Sequence, residues 1–241
     1  MRETLILLPG WGLNGAVLQP LAEALGDELQ VQIAELPALT SVSVPDWLDE
    51  LDARLPGDCW LAGWSLGGML AAALAARRGE RCRGLIGLAS NARFVSSDAW
   101  PQAMPADTYA TFYEGCAHNA GATLRRFAML CAQRSGDARG LARLLQANVL
   151  ASEPSLLAGL QVLATLDNCT ALATFAGPQL HLLAEQDALV PAAVADELLA
   201  LLSAGEVDVL EGCGHAFVVE QPQALAGLLL EFIREASDGD A

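Results

Sequence analysis

The sequence predicts an α/β fold: a mostly parallel central sheet flanked by helices, with a helical insert ahead of the last strands. Three observations predict it. Short apolar runs alternate with segments of helical spacing over the first third of the chain. The alternation then stops, and helical periodicity continues from Phe94 to about Thr170 with no convincing strand. A strand pattern resumes at Gln179. Strands joined by crossover helices run parallel and are covered on both faces.

The elements follow in order. Residues 4–8 are an apolar run stopped by Pro9-Gly10, which reads as a buried strand entering a turn. Residues 17–25 have helical spacing, 31–36 read as a strand ended by Pro37, and 47–55 as a helix ended by Pro56-Gly57. Residues 59–62 are a short buried strand, 69–78 an alanine-rich helix and 85–89 another strand. The insert carries candidate helices at 106–116, 120–133, 138–150 and 153–165. Then come a strand at 179–184, a helix at 191–203, a strand at 206–210 and a helix at 222–235. The Ser/Asp/Gly-rich tail after Ala236 is expected to be disordered. The division expected is a core of residues 1–93 and 171–241 with a cap, or lid, of residues 94–170.

Composition narrows the function. The chain has 241 residues, 53% apolar and 17% charged, enough to bury a core without staples. No apolar stretch approaches the roughly 20 residues of a membrane span. The first residues lack the apolar length and cleavage site of a signal peptide, so a cytoplasmic protein is expected. The six cysteines (Cys59, Cys82, Cys116, Cys131, Cys169 and Cys213) form no CxxC pair and are expected to be reduced and buried. No metal-ligand spacing appears, and no metal or cofactor is expected. The net charge of −16 argues against nucleic acid or an anionic membrane as a partner. All thirteen cationic side chains are Arg.

The strongest local signal is Gly63-Trp64-Ser65-Leu66-Gly67-Gly68. It fits G-x-S-x-G between a buried strand and a helix, where a tight turn lifts a serine hydroxyl above the sheet edge. The glycines are expected because side chains there would strike neighbouring backbone. A serine needs a base. His215 lies in a loop between the last strand and the last helix, whereas His181 falls inside a strand and His118 between insert helices. The imidazole needs an acid to fix its tautomer. Asp187, in the loop after the strand at 179–184, gives the chain order Ser, Asp, His; Glu185 is the nearest rival, with Asp208 and Glu211 weaker ones. Two backbone N–H groups should form an oxyanion hole: Leu66, after the nucleophile, and Trp11, in the Pro9-Gly10-Trp11-Gly12 loop.

These residues resemble the α/β-hydrolase superfamily with a helical cap. Gly10-Trp11-Gly12-Leu13-Asn14, the nucleophile elbow Gly63-Trp64-Ser65-Leu66-Gly67-Gly68 with its tryptophan, Ala89-Ser90 with Phe94 and Trp100-Pro101, and Asp187-Ala188-Leu189-Val190-Pro191 resemble, over nearly the whole chain, the pimeloyl-acyl carrier protein methyl ester esterases of biotin synthesis. The resemblance implies a Ser65, Asp187, His215 triad and contacts from Trp11 and Leu66 to the acyl oxygen. It also implies an acyl channel lined by Phe127, Ala128, Met129, Leu130 and Cys131. The partner implied is an acyl carrier protein bearing a methyl-esterified pimeloyl chain, met by Arg126, Arg139 and Arg143; a monomer is expected. One departure is Pro9 where members carry a histidine, which keeps the turn but removes a side-chain hydrogen bond.

Charge placement is an independent pointer. Arg125, Arg126, Arg134, Arg139 and Arg143 lie between Gly115 and Leu150, with Asp137 the single acid there. A basic patch on an acidic protein suits an acidic partner, and Arg suits a phosphate. Other readings stay open: a short-chain carboxylesterase without a carrier partner, a non-catalytic binding protein of the same fold, and an acyltransferase or carbon–carbon hydrolase.

Overall fold

The computed structural model describes residues 2–150 and 153–239. Six strands form one sheet: β1 (Thr4–Leu8), β2 (Gln30–Ile33), β3 (Cys59–Trp64), β4 (Cys82–Leu88), β5 (Gln179–Ala184) and β6 (Glu206–Leu210). Their order is β2-β1-β3-β4-β5-β6, and every neighbouring pair is parallel. α1 (Gln19–Leu25), α2 (Val44–Arg54) and α3 (Leu66–Arg78) alternate with the first strands. α4 (Ala106–His118), α5 (Ala120–Cys131), α6 (Ala138–Ala147), α7 (Glu153–Thr165) and α8 (Cys169–Thr174) fill the stretch between β4 and β5. α9 (Ala195–Leu201), α10 (Phe217–Glu220) and α11 (Pro222–Gly239) complete the chain.

Burial follows sheet position. β3 and β5 are buried at every residue, while the edge strands β2 and β6 are half exposed. Continuous apolar runs suit strands covered on both faces. α1 packs with α11, and α2 and α8 pack on α3. Trp60 of β3 meets Phe232 of α11 edge to face at 5.8 Å. Arg78, buried at the end of α3, donates to Asp52 at 2.6 Å and to the Leu55 and Pro56 carbonyls at 3.0 and 2.7 Å. The ion pair holds the Asp52 carboxyl below its ordinary range and fixes the α2–β3 connection against α3.

The register explains where a site forms. Leu8 pairs with Gly63, Trp64 with Leu88, Leu88 with Leu182, and Ala184 with Leu210. The carboxyl ends therefore lie level, and the loops after β1, β3, β5 and β6 open onto one rim. Strand order reverses between β1 and β3, the position where open α/β sheets leave a crevice.

Several expectations need correction. The strand expected at 31–36 ends at Ile33, opposite Leu7 of β1, and Glu35 turns both carboxylate oxygens to the Gly15 N–H at 2.9 and 3.0 Å. The helix expected from 17 begins as a 3-10 turn, Gly15–Leu18, and α1 follows it with Pro20 in its first turn. The expected helix 138–150 stops at Ala147, since Val149 bridges to Leu13. The tail after Ala236 continues α11 to Gly239 instead of being disordered; Asp240 and Ala241 lie outside the described residues. His118 closes α4 rather than lying between helices. α8 straddles the expected boundary at 170.

His181 is buried in β5, lying over Gly87, where a Cβ would come within 2.7 Å of Nδ1. Its Nε2 has no hydrogen-bond partner among the described residues. Burial pushes its pKa down to about 4. Above pH 6.5 the imidazole is neutral folded and unfolded, so it costs nothing. As pH falls from 6.5 toward 4, only the unfolded chain gains the proton, and stability declines by about 3 kcal/mol. Urea unfolding across this window should show that decline, and His181→Leu should flatten it.

Candidate active site

β3 passes into α3 through one residue, Ser65, at φ 56° and ψ −120°. Non-glycine residues rarely adopt this conformation, and it costs on the order of 1–3 kcal/mol. The surroundings enforce it. The Ser65 N–H donates to the Leu88 carbonyl at 2.9 Å, and its own carbonyl accepts from Gly68 and Met69 at 3.0 and 3.1 Å. A Cβ on Gly63 would overlap the Gly67 backbone, and one on Gly67 would overlap the Leu8 and Pro9 carbonyls. The expected need for glycine at both positions is met by these contacts.

His215 and Asp187 come together. His215 Nδ1 lies 2.7 Å from Asp187 Oδ2, with both side chains fully buried. The other Asp187 oxygen accepts the Leu189 and Val190 N–H groups at 2.8 and 3.0 Å. The carboxylate thus holds Nδ1 as the donor and leaves Nε2 as the acceptor. Nε2 is buried with no partner among the described residues. Trp64, beside Ser65 in sequence, donates its indole N–H to the His215 carbonyl at 2.9 Å and packs its ring 5.6 Å from the imidazole. This contact joins the histidine loop to the elbow. No hydrogen bond links Nε2 to Ser65, and such bonds are commonly loose before substrate binds.

The rival acids lie elsewhere. Glu185 accepts from the Gly212 N–H at 2.8 Å, and Asp208 and Glu211 are exposed. His181 lies inside a strand as expected, and His118 is exposed.

Ser65 opens into a cavity of about 320 Å³, lined also by Trp11, Phe112, Phe127, Leu130 and Leu189. Trp11 donates its indole N–H to the Leu156 carbonyl at 2.8 Å. It packs edge-on against Phe127 at 5.1 Å and Phe112 at 5.5 Å. The Trp11 and Leu66 backbone N–H groups have no partner among the described residues. Leu66 opens α3, where the helix dipole favours a developing anion.

The run Phe127 to Cys131 divides. Phe127 and Leu130 line the cavity, while Met129 faces solvent at 50% exposure. Ala128 and Cys131 are buried away from the lining. A helix cannot turn five successive residues to one side. Burial, with Asp187 nearby, pushes the Cys131 thiol well up, so it stays protonated. Sequence reading missed lining from α4 and α7, including Tyr109, Phe112, Leu160 and Leu163. Their three-residue spacings carried the signal. Tyr109 donates to the Leu160 carbonyl at 2.9 Å, and burial raises its pKa to about 12.

The arginines divide by region. Arg54, Arg77, Arg78 and Arg83 pair with carboxylates of the core. Arg125, Arg126, Arg134, Arg139 and Arg143 are exposed, and no described carboxylate pairs with them. Arg126 also borders the cavity, so it sits at the mouth.

Comparison with known proteins decides the family. The alpha/beta hydrolase family matches residues 5–228. The chain belongs to this family. It is 41% identical to the biotin biosynthesis bifunctional protein BioHC of Cellvibrio japonicus, over 96% of this chain and 47% of that protein. The chain thus spans about half the length of the first curated relatives it matches. It is 34% identical to a pimeloyl-[acyl-carrier protein] methyl ester esterase of Aeromonas hydrophila, over 95% of this chain and 94% of that one. A solved bromoperoxidase from Bacillus anthracis shares the alpha/beta hydrolase fold, with a TM-score of 0.85 at 17% identity over 97% of this chain and 92% of that chain.

The elbow strain yields a prediction. Ser65→Gly should release about 1–2 kcal/mol after glycine's extra unfolded-state entropy is subtracted. The Tm should rise by roughly 3–6 °C, whereas Ser65→Ala should leave it near wild type. Differential scanning calorimetry reads the difference.

Proposed function

We propose that this chain is a serine carboxylesterase that hydrolyses the methyl ester of a pimeloyl chain borne by acyl carrier protein, releasing methanol. One observation carries the reading: Ser65 opens into an apolar cavity whose mouth holds Arg126, beside helices whose exposed arginines have no carboxylate partner among the described residues. The relatives named for this reaction support it.

In this reading His215 Nε2 takes the Ser65 proton as Oγ attacks the ester carbonyl. The Trp11 and Leu66 N–H groups hold the oxyanion. The imidazolium, stabilised by Asp187, gives its proton to the departing methoxide. Methanol leaves, and the acyl chain remains on Ser65 through its distal carboxyl. Water, deprotonated by His215, attacks the acyl-enzyme and frees the carboxylate. Proton transfer and charge stabilisation rest on these residues, and the scheme assigns no step to a metal or cofactor.

The cavity suits a methylene chain, because Phe112, Phe127, Leu130 and Leu163 line its wall. α4 to α7 act as the lid. Arg126 at the mouth is placed for the phosphate of the carrier's prosthetic arm, since guanidinium pairs with phosphate in a planar fork. Arg139 and Arg143, one turn apart on α6, present charge to an acidic carrier surface.

Two measurements test this. The chain should restore growth without biotin to an auxotroph lacking this esterase, and Ser65→Ala should not. Charge reversal at Arg139 and Arg143 should lower kcat/KM for the carrier-borne methyl ester at least tenfold and for p-nitrophenyl acetate at most twofold. Equal losses on both substrates would remove the carrier protein from the reading.

A further inference from the structure

The histidine loop is fastened to the lid as well as to the sheet. Glu220, in the short helix that follows His215, accepts two hydrogen bonds at one oxygen. The Ser135 hydroxyl donates at 2.8 Å and the Gly136 N–H at 3.0 Å. Both donors sit in the turn between α5 and α6. The same turn meets the histidine loop again: the Ala216 N–H donates to the Cys131 carbonyl at 3.2 Å. A Cβ on Gly214 would overlap the Gln133 carbonyl. That approach leaves no room for the turn to drift inward, and the carboxylate stops it drifting outward.

The far end of α6 is fastened too. The Asn14 N–H donates to the Asn148 carbonyl at 2.9 Å, and the Leu150 N–H donates to the Gly12 carbonyl at 2.9 Å. Leu13 and Val149 form an antiparallel bridge between these bonds. α6 therefore spans the loop that bears Trp11 and the loop that bears His215. Glu220 is the side chain that closes one end of this span.

Resting on the esterase reading above, we propose that Glu220 is a positioning residue. Its carboxylate, through the Ser135–Gly136 turn and α6, sets the histidine loop relative to the oxyanion loop. It touches no reacting atom. A hydrogen bond to an ionised acceptor is stronger than a neutral one, and two such bonds from one turn add to the hold that the Trp64 indole and the Asp187 carboxylate have on this loop. Loss of the tie lets the imidazole drift from the hydroxyl, which slows proton transfer without altering the acyl cavity.

The experiment uses the full chain with p-nitrophenyl butyrate, a substrate that needs no carrier, and a fluorophosphonate that labels an activated serine. Glu220→Ala should lower kcat about tenfold and slow labelling by the same factor, while KM stays within twofold. Glu220→Gln, whose side-chain carbonyl still accepts both bonds, should recover activity to within threefold of wild type. Ser135→Ala should lie between. A purely structural role would lower the Tm of Glu220→Ala but leave kcat and labelling of the folded enzyme unchanged, which overturns the proposal. Should Glu220→Ala fail to fold, Ser135→Ala reads the same tie, and wild-type labelling in it also overturns the proposal. A wild-type chain that resists the fluorophosphonate altogether sinks the serine-esterase reading and this inference together. A wild type that labels, with Glu220→Ala labelling as fast, sinks the inference alone.

Discussion

Gly67 is where three pieces of backbone meet: the first turn of α3, the end of β1 and the loop that follows it. The Leu8 and Pro9 carbonyls come so close that no Cβ fits between them and the helix. The first turn of α3 thereby lies against the Trp11 loop, and Ser65 is held in its strained conformation between them. The elbow and the loop that carry the two N–H groups assigned to the oxyanion hole are in contact for that reason. A larger residue at Gly67 would part the elbow from the loop, and the proposed chemistry depends on their contact.

From that contact the rest builds outward. The level carboxyl ends of β5 and β6 bring the Asp187 and His215 loops to the same rim, and the Gln186 N–H ties them by donating to the Cys213 carbonyl at 2.9 Å. The Trp64 indole then fixes the histidine loop to the elbow. α5 lies over both, with Phe127 against Trp11 on the cavity side and the Cys131 carbonyl against Ala216. The α5–α6 segment and the His215 loop thus share hydrogen bonds rather than only a surface. The strain at Ser65 and the unpartnered Nε2 are departures from good packing, and both occur where the proposed chemistry needs them.

Much of this was legible in the sequence because it rests on local rules. Pro9-Gly10 and Pro56-Gly57 punctuated strands and helices, and the elbow's glycines announced a close approach that the structure shows. Asp187 was separable from Glu185 by its place in the loop, and the structure gives each a distinct partner. What stayed illegible depends on tertiary contact. β2 ends with its pairing to Leu7 of β1, and α6 ends at the bridge to Leu13. Four-residue α10 is too short to carry a period. The run from Phe127 to Cys131 was read as one lining, though helical geometry turns Met129 out and Ala128 and Cys131 inward. Glu220 gave no signal, because its partners lie 84 and 85 residues away.

In the proposed mechanism Ser65 attacks the ester and carries the acyl group. Rapid acid quench of the wild-type chain with a slowly deacylated ester, followed by peptide mass spectrometry, tests it most directly. An acyl adduct is expected on the peptide containing Ser65, and none in His215→Ala over the same interval. Steady product release with no adduct at Ser65, or an adduct on a different side chain, would contradict it.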